Sequence, residues 1–496
     1  MVDLLRTWKL DCLTFAMMDD PGSWRLRAIE RVELVSAHWS ASERSIHVKP
    51  LSEVRQLHRP LGRISGDHSS VTVVLPIAEL PKATIFDLVM EVAGEPVYRL
   101  SREETARIQA RYIRHLAVEA GLWRLINGRL EQLLAEIFAF DPRKLRQEVK
   151  EAEMVHWTKR HWRKSDTALD AVVSRYTSLE FGRQAPTQAR LNSWESFADQ
   201  INGWSLDYVI PNESRISASQ NPLLAMPRFM QQTHLGQKRA GRVLENLAVL
   251  IEKAHSRLPD PRAQRLLSTY YSYGYRWQVF VECQVPLHES FEITLTDKRA
   301  TSFDRPRAHL QTRNWWRDRF YPTAHYNVSF ADAGTNHLHV RVSDTKVRLV
   351  PEGCFAMDEA YRIKCPSPGD ERTLEFYSRY DFRGDRRERI WVAAQVQLSR
   401  TWLALHWGMI VGALAGLSLL IWLGFVCYPK VELNSSDVAA ILLPVTFAGA
   451  LIVVSDRTTL AMRVKRAKQG FLMSLLLVLW MVAVSLYAIG RVTIGD

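Results

Sequence analysis

The sequence contains none of the short motifs that announce a catalytic or nucleotide-binding site: no Walker loop, no dinucleotide glycine fingerprint, no GxSxG elbow, no HExxH and no CxxC pair. An enzyme of this sequence has to gather its active site from residues dispersed along the chain. Cysteine is scarce, five in 496 residues, so no disulfide framework is expected, and Cys12, Cys283, Cys354 and Cys365 are expected to be reduced thiols. An apolar leader is lacking too. Lys9 and Asp11 interrupt Met1–Asp20, and Leu13–Met18 is too short for the core of a signal peptide. Nor is charge of one sign concentrated. The 65 basic residues against 53 acidic give a net +12, which suits a surface beside anionic lipid and is too dilute to expect nucleic acid as a partner.

What the chain does have is a run of three apolar segments in its last hundred residues, Trp402–Tyr428, Val438–Ser455 and Phe471–Gly490. About 20 apolar residues cover a hydrocarbon core of ~30 Å, so each is expected to span a bilayer, the middle one being the shortest and interrupted by Pro444. The stretch between the second and third holds Arg457, Arg463, Lys465, Arg466 and Lys468 against Asp456, while that between the first and second holds Lys430, Glu432 and Asp437. Short basic loops stay in the cytoplasm, which predicts a multi-pass membrane protein with a large cytoplasmic N-terminal part and a short C-terminal tail outside.

The pattern ahead of the spans predicts a multidomain α+β protein. Residues 1–100 read as a small β-rich unit with strand-like runs Arg31–Ala37, Ser45–Pro50, Val71–Ile77 and Thr84–Val92. Residues 101–270 read as a helical domain. Ser101 and Glu104 are spaced as a capping box for a helix to about Ala120, and Leu122, Leu125, Ile126, Leu130, Leu133, Leu134, Ile137 and Phe138 share a helical face. A third helix is expected from Asp141–Pro142, an irregular insert over 177–227, and a further helix over about Leu235–Leu258. From Tyr275 the apolar period becomes two, as in Trp277, Val279, Val281, Cys283 and Val285, and residues 271–400 read as a juxtamembrane antiparallel β-sandwich running into the three-span region 401–496.

Candidate sites are few. His337 and His339 point the same way on a strand, and Cys354 with Cys365 could complete a zinc set; the same residues equally form the polar face of a strand whose other face is Leu338, Val340 and Val342. Trp315, Trp316 and Arg317, like Arg463, Lys465 and Arg466, mix the groups that settle at a membrane surface. Gly408, Gly412 and Gly416 recur every four residues and mark a helix-packing stripe. No catalytic residue and no cofactor is expected. The pattern fits a membrane-anchored cytosolic binding or scaffold module that presents a partner or ligand at the inner membrane face. Its expected partners are a bilayer with anionic head groups and either a protein or further copies of itself, joined through the transmembrane helices. Two other classes stay open: a membrane effector whose head gates assembly of a pore, and an enzyme with dispersed active-site residues.

Overall fold

A computed structural model describes residues 2–140, 225–300, 322–357, 372–379, 389–425 and 460–489, apart from 37, 63–68, 82–84 and 330–331, together with 431–433 and 492–494. Eight helices of eight or more residues are named here: α1 (Val2–Asp19), α2 (Arg102–Glu119), α3 (Gly128–Ala139), α4 (Met226–Thr233), α5 (Gln237–His255), α6 (Pro261–Tyr275), α7 (Arg400–Phe425) and α8 (Leu460–Ala488). The strands are β1 (Arg25–Leu34), β2 (Trp39–Val48), β3 (Ser70–Pro81), β4 (Ile85–Val92), β5 (Glu95–Pro96), β6 (Arg276–Pro286), β7 (Phe291–Ala300), β8 (Thr323–Ser329), β9 (Thr335–Val342), β10 (Val347–Met357), β11 (Thr373–Arg379), β12 (Arg389–Leu398), β13 (Val431–Leu433) and β14 (Val492–Ile494).

The protein is α+β, built on a mixed seven-stranded sheet in the order β11-β9-β1-β2-β7-β4-β5. Strands expected in two separate units therefore share one sheet. β1 and β2 form an antiparallel hairpin, β2 pairs with β7, and β1 takes β9 on its other side in parallel, Ile29 opposite His337. That parallel pairing is a departure from a purely antiparallel sandwich. It needs a long connection, which the chain supplies by running through the whole helical layer between β1 and β9. β3 with β6 and β10-β12-β8 form smaller sheets. In the β3–β6 pair the register slips between Pro76 and Ala78, where proline has no N–H to give the ladder.

The helical layer follows its local signals closely. Glu104 N donates to Ser101 Oγ at 3.2 Å and Ser101 N to Glu104 Oε2 at 2.9 Å, the reciprocal capping box at the start of α2. Gly121 then turns the chain at φ +71°, and Arg257 Nη1 donates to Ala120 O at 2.7 Å, closing the end of α2. α3 starts at Gly128 rather than at Leu122, because the Asn127 side chain accepts from Arg129 N and Leu130 N at 3.1 and 3.0 Å. α6, which was not expected, starts with Asp260 as its cap and Pro261 in its first turn. Tyr112, Leu130, Leu133, Phe138, Phe229, Leu247 and Tyr273 are all fully buried in this layer. The expected helix from Asp141 and almost all of the insert over 177–227 lie outside the described residues, α4 entering only at Met226.

α1 joins this helical core to a second one. Its Met18 packs among the helices, while Leu13 and Met17 pack with Trp24, Val73 and Leu75 under the sheet, and Thr14 Oγ1 donates to Val74 O at 2.9 Å. A third core holds Val32, Leu34, Val340, Phe376, Val396 and Leu398 together with Leu460, Ala461 and Val464 of α8, and Trp402 and Leu403 of α7 lie against it.

Among the described residues, one helix is long and apolar enough to cross a membrane: α7, whose stretch Arg400–Leu419 has a mean hydropathy of 1.6. Of the three expected spans, the described residues thus show the first as a helix of that kind. α8 carries a shorter apolar stretch, Gly470–Leu486, and begins ahead of it at Leu460, so that Arg463, Lys465, Arg466 and Lys468 belong to a helix instead of a loop. Val438–Ser455 lies outside the described residues.

Candidate functional site

Three places concentrate charge or exposed apolar surface, the C-terminal helix pair first among them. α7 continues from β12 with Leu403 N donating to Ser399 O at 2.8 Å, and α8 starts beside it with Ala461 N donating to Asp344 Oδ2 at 3.0 Å. Lys346 Nζ stands 5.4 Å from the Trp402 ring centre. Both helices thus begin on the same β core. They touch through Met409, Ile410 and Ala413 of α7 and Leu472, Leu475 and Leu476 of α8, and a Cβ at Gly416 would lie 3.5 Å from Leu479 Cδ1. Residue numbers rise together along the two helices, which makes the pair parallel, and the short strands that follow each of them, β13 and β14, pair in parallel as well. Away from this contact the pair turns large apolar side chains outward: Trp407, Val411 and Trp422 on α7, Leu477 and Trp480 on α8, each more than half exposed.

The glycine stripe is only partly this contact. Gly416 faces Leu479, but a Cβ at Gly408 would meet nothing within 4 Å, and Gly412 is half-buried. The face actually used is Met409, Ile410, Ala413 and Gly416, a mixed three- and four-residue spacing that every-fourth-residue counting does not find.

A second place is an ionic cluster inside the main sheet. Arg44 donates to Glu30 Oε2 at 3.1 Å and to Asp332 Oδ2 at 2.6 Å, Arg25 pairs with Asp332 and donates to Ile77 O at 3.3 Å, and Arg299 grips Asp297 through two bonds of 2.6 Å. Glu30 and Arg44 are cross-strand partners. Burial pushes the Glu30 carboxyl upward, against the pull of Arg44 and Arg299; burial works against the Arg44 charge, yet Asp332 and Glu30 hold the guanidinium above its ordinary value. Three guanidinium groups meet three carboxylates, so the cluster is balanced. Its turn comes close enough to β1 to require glycine: a Cβ at Gly334 would stand 2.9 Å from Leu26 O. The match of charges and the burial of Arg25, Glu30, Arg44 and Asp297 fit a structural tie between β1, β2, β7 and the turn before β9.

The third place joins α1, α2 and α6. His115 Nε2 lies 3.1 Å from Asp19 Oδ2 and 3.5 Å from Glu119 Oε1, while Asp19 Oδ1 accepts from Tyr112 Oη at 2.8 Å and from Arg265 Nη2 at 2.7 Å. The Phe15 ring stacks on His115 at 5.4 Å. All three ligand-bearing groups are partly exposed. Among the described residues this is the one group of three His, Cys, Asp or Glu side chains whose ligand atoms come within 4.8 Å of one another. Elsewhere in the helical layer, a cleft of about 330 Å³ between α2, α3 and α4 is lined by Arg107, Glu131, Glu136, Phe229 and Thr233 among others. Glu131 and Glu136 are engaged by Arg114 and Arg228 at 3.2 and 3.0 Å.

The sequence candidates fall elsewhere. His337 and His339 do share one face of β9, their rings stacked 6.5 Å apart, but His337 sits edge-on to Tyr377 and His339 Nδ1 lies 3.3 Å from Glu375 Oε1. Burial, helped by Arg27 and His339, lowers the His337 pKa. Cys354 lies in β10, and Cys365 lies outside the described residues, as do Trp315, Trp316 and Arg317. Arg463, Lys465 and Arg466 occupy the first turns of α8. Sequence reasoning missed Asp19, His115 and Glu119. The i,i+4 spacing of His115 and Glu119 was a usable signal, but nothing local points to Asp19. Comparison with family models, with curated proteins and with solved structures finds no match to this chain.

Proposed function

We propose that this chain is a membrane-anchored cytosolic binding or scaffold module, its folded head held against the inner face of a membrane by the C-terminal helices and open to a ligand or partner on the helical layer. The observation that carries this is the inverted surface of the α7–α8 pair, which grows directly out of a conventionally packed head. Apolar surface left in water costs about 25 cal/mol per Å², and so many outward Trp, Leu and Val side chains on two adjacent helices call for lipid as their surroundings. Trp402 and Trp422 bracket α7 at a separation of about 30 Å by helical rise, the thickness of a hydrocarbon core.

The finer topology has independent support. Because α7 and α8 run the same way, the chain must travel back from the far end of one to the near end of the other, and the apolar Val438–Ser455 lies in that interval. That favours three crossings. Arg400 and the basic residues at 463–468 belong to the helix ends that adjoin the head, which by the positive-inside rule favours a cytosolic head.

Tyr98, 87% exposed on the head, gives a clean test. A chain carrying Tyr98→Cys, with its five native cysteines replaced by serine, should resist carbonate extraction from membranes and take up a membrane-impermeant maleimide only after lysis. Extraction by carbonate would overturn anchoring, and labelling in intact cells would overturn the orientation. The rival pore-forming effector finds some favour in the open space at Gly408; ion leakage from liposomes carrying the purified chain, with and without the head, decides between the two.

A further inference from the structure

We propose that Asp19, His115 and Glu119 form a binding site for a divalent first-row transition-metal ion such as zinc. The argument is independent of membrane anchoring. Two ligands that each stand about 2.1 Å from a common ion are separated by about 3.0 Å at a right angle and about 3.4 Å at a tetrahedral angle. The His115 Nε2 to Asp19 Oδ2 and His115 Nε2 to Glu119 Oε1 separations, 3.1 and 3.5 Å, are already of this size. The third pair, Asp19 with Glu119, also comes within 4.8 Å, so a small movement of the exposed Glu119 side chain completes the set.

The arrangement around the three ligands is that of a held site. His115 and Glu119 stand one helical turn apart on α2, the spacing that puts two ligands on one face. Asp19, from the end of α1, supplies the third from a different element, so the ion would tie two helices. The far oxygen of Asp19 is occupied by Tyr112 Oη and Arg265 Nη2 at 2.8 and 2.7 Å, which fixes the carboxylate with Oδ2 toward the site, as outer partners do around bound metals. Phe15 and Tyr112 flank the His115 ring at 5.4 and 5.9 Å and hold its plane. The positive charge of Arg265 opposes a cation, and the two carboxylates outweigh it. An imidazole among carboxylates selects zinc, manganese or cobalt over calcium and magnesium, which prefer oxygen throughout. Three protein ligands leave room for water on an ion that is reachable from solvent.

The test uses the full chain in detergent, stripped with chelator and then exposed to zinc chloride or cobalt chloride. Metal content, competition with a chromophoric chelator and the visible absorption of bound cobalt are read together. One equivalent should bind. Glu119→Gln, which keeps the side-chain shape and the apo melting temperature, should weaken it at least about tenfold, His115→Ala should abolish it, and the double variant His337→Ala, His339→Ala should leave it unchanged. If wild type binds no metal at micromolar concentrations, or if Glu119→Gln retains full affinity and the same cobalt spectrum, the site holds only the His115–carboxylate ion pair and the proposal fails. Should His115→Ala not fold, the Glu119→Gln titration and spectrum decide alone.

Discussion

The helical layer of the head and the C-terminal helix pair are built from similar lengths of α-helix with opposite polarity. α5 buries Leu244, Leu247, Leu250 and Ile251 and exposes Arg242, Glu245 and Glu252, whereas α7 exposes Trp407, Val411, Leu414 and Trp422 and, among its described side chains, buries His406, Ile410 and Ala413. Helical propensity does not distinguish them. The difference lies in which side chains each helix turns outward, and it means that the same substitution should have different consequences in the two places.

The head should be the more easily broken. Asp332→Ala takes from Arg25 and Arg44 the carboxylate they share inside the sheet, and is expected to cost about 3–5 kcal/mol, read as a fall in the melting temperature of the purified chain. Leu247→Ala, in the fully buried helical core, should cost about 2–5 kcal/mol, while Leu414→Ala on α7, 46% exposed, should stay within about 0.5 kcal/mol. Equal losses from those two leucines would erase the contrast. Gly416→Leu, facing Leu479 Cδ1, should loosen the helix pair by about 1–3 kcal/mol, whereas Gly408→Leu, with open space around it, should leave detergent melting unchanged. Asn127→Ala removes the cap of α3 and is expected to cost about 1 kcal/mol, measured by urea unfolding of the full chain.

Chemical reactivity sharpens the contrast at no cost in stability. Burial, with Glu282 adding to it, pushes the Cys283 thiol up to about 12, so at pH 8 it should react with iodoacetamide far more slowly than a cysteine placed at Tyr98. Equal rates would show that β6 opens in the native state. An orientation test that relied on labelling Cys283 would therefore be silent for a reason unrelated to the membrane.

Much of the local structure could be read from the sequence, because its causes are local. The capping box at Ser101 and Glu104, the four strand-like runs of the first hundred residues and the helical face around Leu130–Phe138 each depend on neighbours a few residues away. What could not be read depends on partners far along the chain. Nothing near Arg27–Leu34 shows that β9, about three hundred residues later, will lie beside it, and nothing near Glu30 names Asp332 or Arg299 as its charge partners. The same holds for the metal-binding triad, of which only the i,i+4 half is written locally. At the C-terminus the apolar pattern revealed long helices. It did not reveal that the basic residues at 463–468 sit inside one of them, since helix continuity there is decided by docking of Leu460, Ala461 and Val464 on the β core.

The shared sheet also has a consequence in time. When β1 and β2 leave the ribosome, the strand that covers the outer edge of β2 begins roughly 240 residues downstream and the one that covers β1 later still, a delay of about 10–50 s at ordinary rates of synthesis. For that interval the hairpin presents two open edges and a half-built ionic cluster, with Glu30 and Arg44 in place but Asp332 not yet made. The head cannot finish folding until β9 and β11 have emerged, and α7 follows β12 almost at once. Completion of the sheet and arrival of the first apolar helix are thus nearly simultaneous, and a holding chaperone would have its main work during that wait.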